Sequence, residues 1–145
     1  MISLQNGLRF SLSGFVLELL YDYDIAPSQL APNAWRILGA FYLGCHIMGV
    51  VLTNWLFRNF YFLKTREKFY FLQFREKSIV TKLPDTNKGW KTLFLIITDP
   101  NGFGVDLQWR VAKAGENKAS TLSLHERKNF EKIIDNENGF PWTLV

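Results

Sequence analysis

The chain has 145 residues, enough for one domain and not two, and is 48% hydrophobic and 16% aromatic, which excludes a disordered tail. Its single cysteine excludes a disulfide framework and a cysteine-rich zinc module. The net charge of +4 is concentrated: residues 64–91 carry eight basic groups against three acidic ones, 1–63 are neutral and 92–145 carry net −1.

Residues 1–12 lack a basic stretch followed by an apolar core, so no secretory signal is read there. Residues 13–22 predict a short amphipathic helix with Ser13 as N-cap and Phe15, Val16, Leu19 and Leu20 on its apolar side. Pro27 and Pro32 punctuate the next segment, because neither fits inside a helix and each pushes its predecessor toward extended geometry. Ser28 is read as opening a single turn, and Asn33 as capping a long helix from Ala34 to about Met48. Trp35, Leu38, Phe41, Tyr42 and Cys45 form an apolar stripe on it. A second helix is expected over about 54–62.

The run from Ile37 to Phe57 contains no Asp, Glu, Lys or Arg. It is long enough to span a bilayer. The other reading is two buried helices, the first ended by Gly49 and the second capped by Thr53.

After residue 64 the period changes from helical to strand-like. Residues 68–75 and 78–83 predict a hairpin turning near Glu76–Lys77. A loop over 84–89 precedes a buried strand over 90–98 and a turn at Asp99-Pro100-Asn101-Gly102. The following strand alternates, with Phe103, Val105, Leu107, Trp109 and Val111 pointing inward. Residues 113–121 are a polar loop. Ser123 and Glu126 have capping-box spacing and open a helix over about 124–135, with Leu124, Phe130, Ile133 and Ile134 inward. The fold class is therefore α+β: N-terminal helices over about 8–63, then an antiparallel sheet with a C-terminal helix over about 64–145, in one domain.

Catalytic signals are few. His46 and His125 stand apart from any ligand-spaced partner, and adjacent Cys45 and His46 point about 100° apart on a helix. Gly102-Phe103-Gly104 lacks the third glycine of a phosphate loop. Asp99 and Asp106 flank a turn and form no acid–base pair by spacing. No cofactor, metal or small-molecule substrate is expected. The basic stretch is the one candidate site: Lys64, Arg66, Lys68, Arg75, Lys77, Lys82, Lys88 and Lys91, interleaved with Phe69, Tyr70, Phe71, Phe74 and Trp90. Sheets that bind nucleic acid combine rings for bases with cations for phosphates. The competing reading is an ordinary solvated sheet face.

Residues 26–36, Ala-Pro-Ser-Gln-Leu-Ala-Pro-Asn-Ala-Trp-Arg, resemble the signature of the plant "putative gypsy-type transposon" domain of retrotransposon-derived proteins. Phe15–Leu20, Leu56–Tyr61 and Gly89-Trp90-Lys91 with Phe94 resemble other positions of that family. The resemblance covers roughly residues 8–98. It implies a non-enzymatic, gag-like or accessory domain, intracellular in nucleus or cytoplasm, with nucleic acid or other protein chains as partners. It implies structural roles for Pro27, Ser28, Gln29, Leu30, Pro32, Asn33, Trp35 and Arg36. It also favours two helices over a membrane span at 37–57. The chemistry of a retroelement is missing: Asp85-Thr86-Asn87 is not the Asp-Thr-Gly of an aspartic protease, and there is no Cys/His knuckle.

Overall fold

The computed structural model describes residues 14–84, 108–113 and 118–144. Helix α1 (Gly14–Tyr23) buries Phe15, Val16, Leu19, Leu20 and Tyr23, the face expected from their spacing. A 3-10 turn follows at Pro27–Gln29, then α2 (Pro32–Ile47), the short α3 (Asn54–Arg58), β1 (Tyr61–Arg66) and β2 (Phe69–Phe74). The chain continues through β3 (Val80–Thr81), α4 (Leu124–Ile134), β4 (Phe140–Pro141) and a final 3-10 turn at Trp142–Leu144. Strands β1 and β2 pair antiparallel, and β3 pairs parallel with β4. The class is α+β, as the sequence implied.

Several boundaries differ from expectation, each for a physical reason. Ala31, not Asn33, is the N-cap of α2, because Pro32 takes the first helical position, where a missing N–H costs nothing. Likewise Ala26 caps the 3-10 turn and Ser28 sits inside it. Tyr42 is 42% exposed, whereas Trp35, Leu38, Phe41 and Cys45 are buried. Residues 34–38 of α2 are all buried, but its C-terminal half is covered on one side only.

Gly49 ends α2 as expected. Its φ of 70° lets Val50 N–H reach the Cys45 carbonyl (2.8 Å) and its own N–H reach the His46 carbonyl (3.1 Å), a Schellman closure. Thr53 caps α3 by accepting the Leu56 N–H at 3.1 Å. Helix α3 stops at Arg58, not near 62, because the aromatic run from Tyr61 pairs as a strand. The stretch 37–57 is therefore two helices with a break at 48–53. Among the described residues no helix is long and apolar enough to cross a membrane.

The hairpin also differs. Strand β2 pairs backward with β1 through a turn at Glu67–Lys68, not forward with 78–83. Glu67 takes φ 61°, a left-handed position that no Gly or Asn announces. Of 78–83 only Val80–Thr81 is strand, and its partner is Phe140–Pro141. The remaining differences fall late in the chain. Residues 108–113 form no strand, Trp109 is exposed and Val111 is 86% exposed. Backbone N–H groups there bond to distant acceptors instead of a neighbouring strand: Arg110 to Gln29 Oε1 (3.1 Å), Ala112 to Tyr70 Oη (2.8 Å) and Lys113 to the Tyr23 carbonyl (3.1 Å). Ser123 caps α4 as expected, accepting the Glu126 N–H at 3.2 Å, but Leu124 is 74% exposed and only Ile133 is fully buried on that helix. The Ser13 cap, the strand over 90–98, the turn at 99–102 and positions 103–107 lie outside the described residues.

The core sits where α2 crosses the rings of α3, β1 and β4. Gly44 is the point of closest approach: a Cβ there would lie 2.3–2.6 Å from three ring atoms of Phe140. Gly44→Val should therefore destabilise the protein by about 1–3 kcal/mol, read as a lowered urea midpoint without change in slope.

Candidate nucleic-acid interface

The register of the hairpin decides which side chains share a face. Phe62 lies opposite Gln73, Lys64 opposite Phe71 and Arg66 opposite Phe69. Directly paired residues project from the same side of a sheet, so these six form one face. Lys64, Arg66 and Gln73 are exposed, and the three phenylalanines are half-buried. Lys68, in the turn, adds a third exposed cation.

The other face is anchored. Tyr61, Leu63 and Tyr70 are buried on it. Tyr61 Oη accepts the Val80 N–H at 3.0 Å, and burial pushes its phenol upward against that hydrogen bond. On the outer edge of β2, the Tyr70 carbonyl accepts the Ala31 N–H at 2.9 Å. The segment 26–36 thus holds the hairpin in place.

Of the eight basic candidates, the structure gathers Lys64, Arg66 and Lys68 on this hairpin. Arg75 sits at its base, with its guanidinium 5.4 Å from the Phe62 ring centroid, its backbone N–H on the Phe60 carbonyl (2.8 Å) and its Nε on the Arg58 carbonyl. It is half-buried and braces the strand ends. Lys77 Nζ donates to the Ile134 carbonyl at 3.0 Å, at the C-terminal end of α4 where a cation is favoured. Lys82 is exposed just after β3, with φ 59°. Lys88 and Lys91 lie outside the described residues. Of the interleaved aromatics, Tyr70 faces the core and Phe74 is exposed; Trp90 lies outside the described residues.

The residues of the 26–36 segment hold the chain together. Gln29 Oε1 accepts from Ala26 N (2.8 Å) and Arg110 N (3.1 Å), and its Nε2 donates to the Arg110 carbonyl (2.7 Å). Asn33 Nδ2 donates to the Pro84 carbonyl (3.0 Å), while its Oδ1 accepts from Arg36 Nη1 (2.6 Å). Arg36 is buried and lies 5.0 Å from the Trp142 ring centroid. Pro27, Leu30, Pro32 and Trp35 are buried.

Ser28 is exposed, and its Oγ accepts from Trp109 Nε1 at 2.7 Å. Trp109 also meets Phe69 edge-to-face, with centroids 5.2 Å apart. No local pattern signals this position beside the hairpin, because the alternation of Trp109 with Val111 places it in a core.

Cys45 and His46 do not converge: the thiol is buried and the imidazole exposed. Among the described residues no group of three or more His, Cys, Asp or Glu is placed to hold a metal ion. Burial pushes the Cys45 thiol up from 9.0 to about 12. The unfolded chain ionises near 9 while the folded one keeps its proton. The contribution of this thiol to stability is thus constant well below pH 9 and falls as pH rises from 9 toward 12. Denaturation at stepped pH should show this fall, weakened in Cys45→Ala. The native thiol should also resist alkylation at neutral pH until denaturant is added.

Residues 2–65 match the family described as "Putative gypsy type transposon". The match covers somewhat under half of the chain. It includes the segment 26–36 and ends inside β1, short of Gly89-Trp90-Lys91. No curated protein and no solved structure matches the chain significantly. The end of the match is not an end of the fold, since Tyr70, Ile79, Val80, Ile133 and Phe140 all belong to the core. A chain cut after Arg66 should lose cooperative unfolding, measured by circular dichroism in urea, while the full chain keeps it.

Proposed function

We propose that this chain is a non-enzymatic, transposon-derived interaction domain that contacts nucleic acid through the β1–β2 hairpin. The observation that carries this reading is the grouping of Lys64, Arg66 and Lys68 on one exposed hairpin whose other face is fixed to the core. Cations held on a rigid element meet phosphates with little loss of freedom beyond their own side chains. The family match over residues 2–65 supports a transposon origin. The resemblance of residues 26–36 extends this to the retrotransposon-derived proteins of plants, acting in nucleus or cytoplasm. The signature residues serve as structural ties and offer no reacting group.

A second reading is contact with other protein chains, favoured by the exposure of Ile47, Val51 and Trp55 around the α2–α3 connection. Tryptophan is among the residues that most often anchor such contacts, and the neighbouring aliphatic side chains help to exclude water.

Titration against labelled polynucleotide at low and moderate salt distinguishes the two. Three phosphate contacts give a log–log salt slope of about −2.1 for a single strand to about −2.7 for duplex DNA, a loss of roughly twenty- to fortyfold between 50 and 200 mM salt. The triple variant Lys64→Ala, Arg66→Ala, Lys68→Ala should flatten that slope and weaken binding at low salt. No detectable binding at low salt by the folded wild-type chain would refute the nucleic-acid reading and leave protein contact.

A further inference from the structure

We propose that Trp109 is a pre-set stacking platform for an unpaired base, so that the ligand of the hairpin is single-stranded nucleic acid. This rests on the nucleic-acid reading above and narrows it. The indole is 43% exposed, yet it is not free to turn. Its one polar atom, Nε1, donates to Ser28 Oγ at 2.7 Å, and its ring meets Phe69 edge-to-face at 5.2 Å and 74°. With the N–H already used, the surface it presents to solvent is π-face and ring edge.

Its position gives that surface a purpose. Phe69 is the direct cross-strand partner of Arg66, and Lys64 lies two residues further along the same face. Paired residues in a sheet have Cβ atoms about 5 Å apart. The indole is therefore one ring away from the first exposed cation of the hairpin. Rings with adjacent cations are the arrangement that binds single strands, with bases on the ring and phosphates on the cations. Of the phenylalanines on this face, Phe62 lies under the Arg75 guanidinium, Phe69 packs on Trp109 itself and Phe71 is half-buried. A duplex keeps its bases stacked on each other and gains nothing from an exposed indole. Charge complementarity selects nucleic acid, and the pinned ring selects its unpaired form.

The test uses the full chain and fluorescein-labelled oligothymidylate and oligouridylate, each of about twelve nucleotides, within the usual range of single-strand sites. A mixed-sequence DNA duplex is the comparison. Trp109→Ala should weaken oligonucleotide binding by about tenfold or more, with the salt slope unchanged and duplex binding unaltered. Trp109→Phe should retain most of the affinity, because a phenyl ring still stacks. Ser28→Ala should cost severalfold by releasing the indole, and it keeps the test open if Trp109→Ala does not fold.

Unchanged oligonucleotide affinity in Trp109→Ala, alongside loss in the triple lysine/arginine variant, would overturn the stacking proposal and leave the hairpin reading intact. Equal loss of duplex and single-strand binding in Trp109→Ala would also overturn it. Absence of binding to every probe by the wild-type chain would remove both.

Discussion

Phe41, in the middle of α2, is fully buried and meets four other aromatic side chains. The centroid distances are 5.3 Å to Phe57, 5.1 Å to Phe60, 6.1 Å to Tyr61 and 5.5 Å to Phe140. Three of these contacts are edge-on, the geometry in which the positive edge of one ring meets the negative face of another. They join α2 to α3 and the start of β1, which follow it closely, and to β4 near the other end of the described chain. Gly44, one turn further along α2, makes this possible: without a side chain there, Phe140 closes onto the helix backbone. Gly139, with φ 60° and the Ile79 carbonyl 2.6 Å from where a Cβ would stand, sets the approach from the other side.

Around that apolar centre, buried polar groups fix the order of the helices. Asp22 Oδ2 accepts from both Asn54 Nδ2 (2.9 Å) and Arg58 Nη2 (3.0 Å), tying α1 to α3. Arg58 is 3% exposed and lies between the rings of Tyr23 and Trp55. Removing a charge from water is costly unless it is paired and hydrogen-bonded, and here the Asp22 carboxylate and two ring faces compensate Arg58, while the Asn54 amide donates to that same carboxylate. By contrast Arg110 and Asp24, 2.8 Å apart, form a surface pair of small energetic weight. Gln29 and Asn33 perform a related task by neutral hydrogen bonds, satisfying the backbone at 110 and 84, where no sheet neighbour does so.

These constraints make the hairpin a fixed display. Its buried face is locked by Tyr61 on Val80 and by Tyr70 on Ala31 and Ala112. Its open face then holds Lys64 and Arg66 in register, with Lys68 in the turn and Trp109 alongside. The same segment that caps α2 pins the indole through Ser28 and borders β2 through Ala31. The family-matched stretch thus supports the candidate surface, and the chain beyond residue 65 completes it.

Local chemistry was enough to read much of this from the sequence. Helix α1, the glycine closure at Gly49, the Thr53 and Ser123 caps and the buried Trp35, Leu38, Phe41 and Cys45 each depend on neighbours within a turn or two. The clustering of cations in 64–91 was also legible, as was the α+β class. Which cations lie together was not. The turn at Glu67–Lys68 carries no glycine, so its left-handed φ is imposed by the pairing of β1 with β2. The five-residue α3, the parallel pairing of Val80–Thr81 with Phe140–Pro141 and the outward turn of Trp109 are likewise decided by partners distant in the chain. A sequence fixes what each residue can do locally; where a short apolar run pairs, and which of its rings face water, depends on contacts that exist only once the whole core has closed.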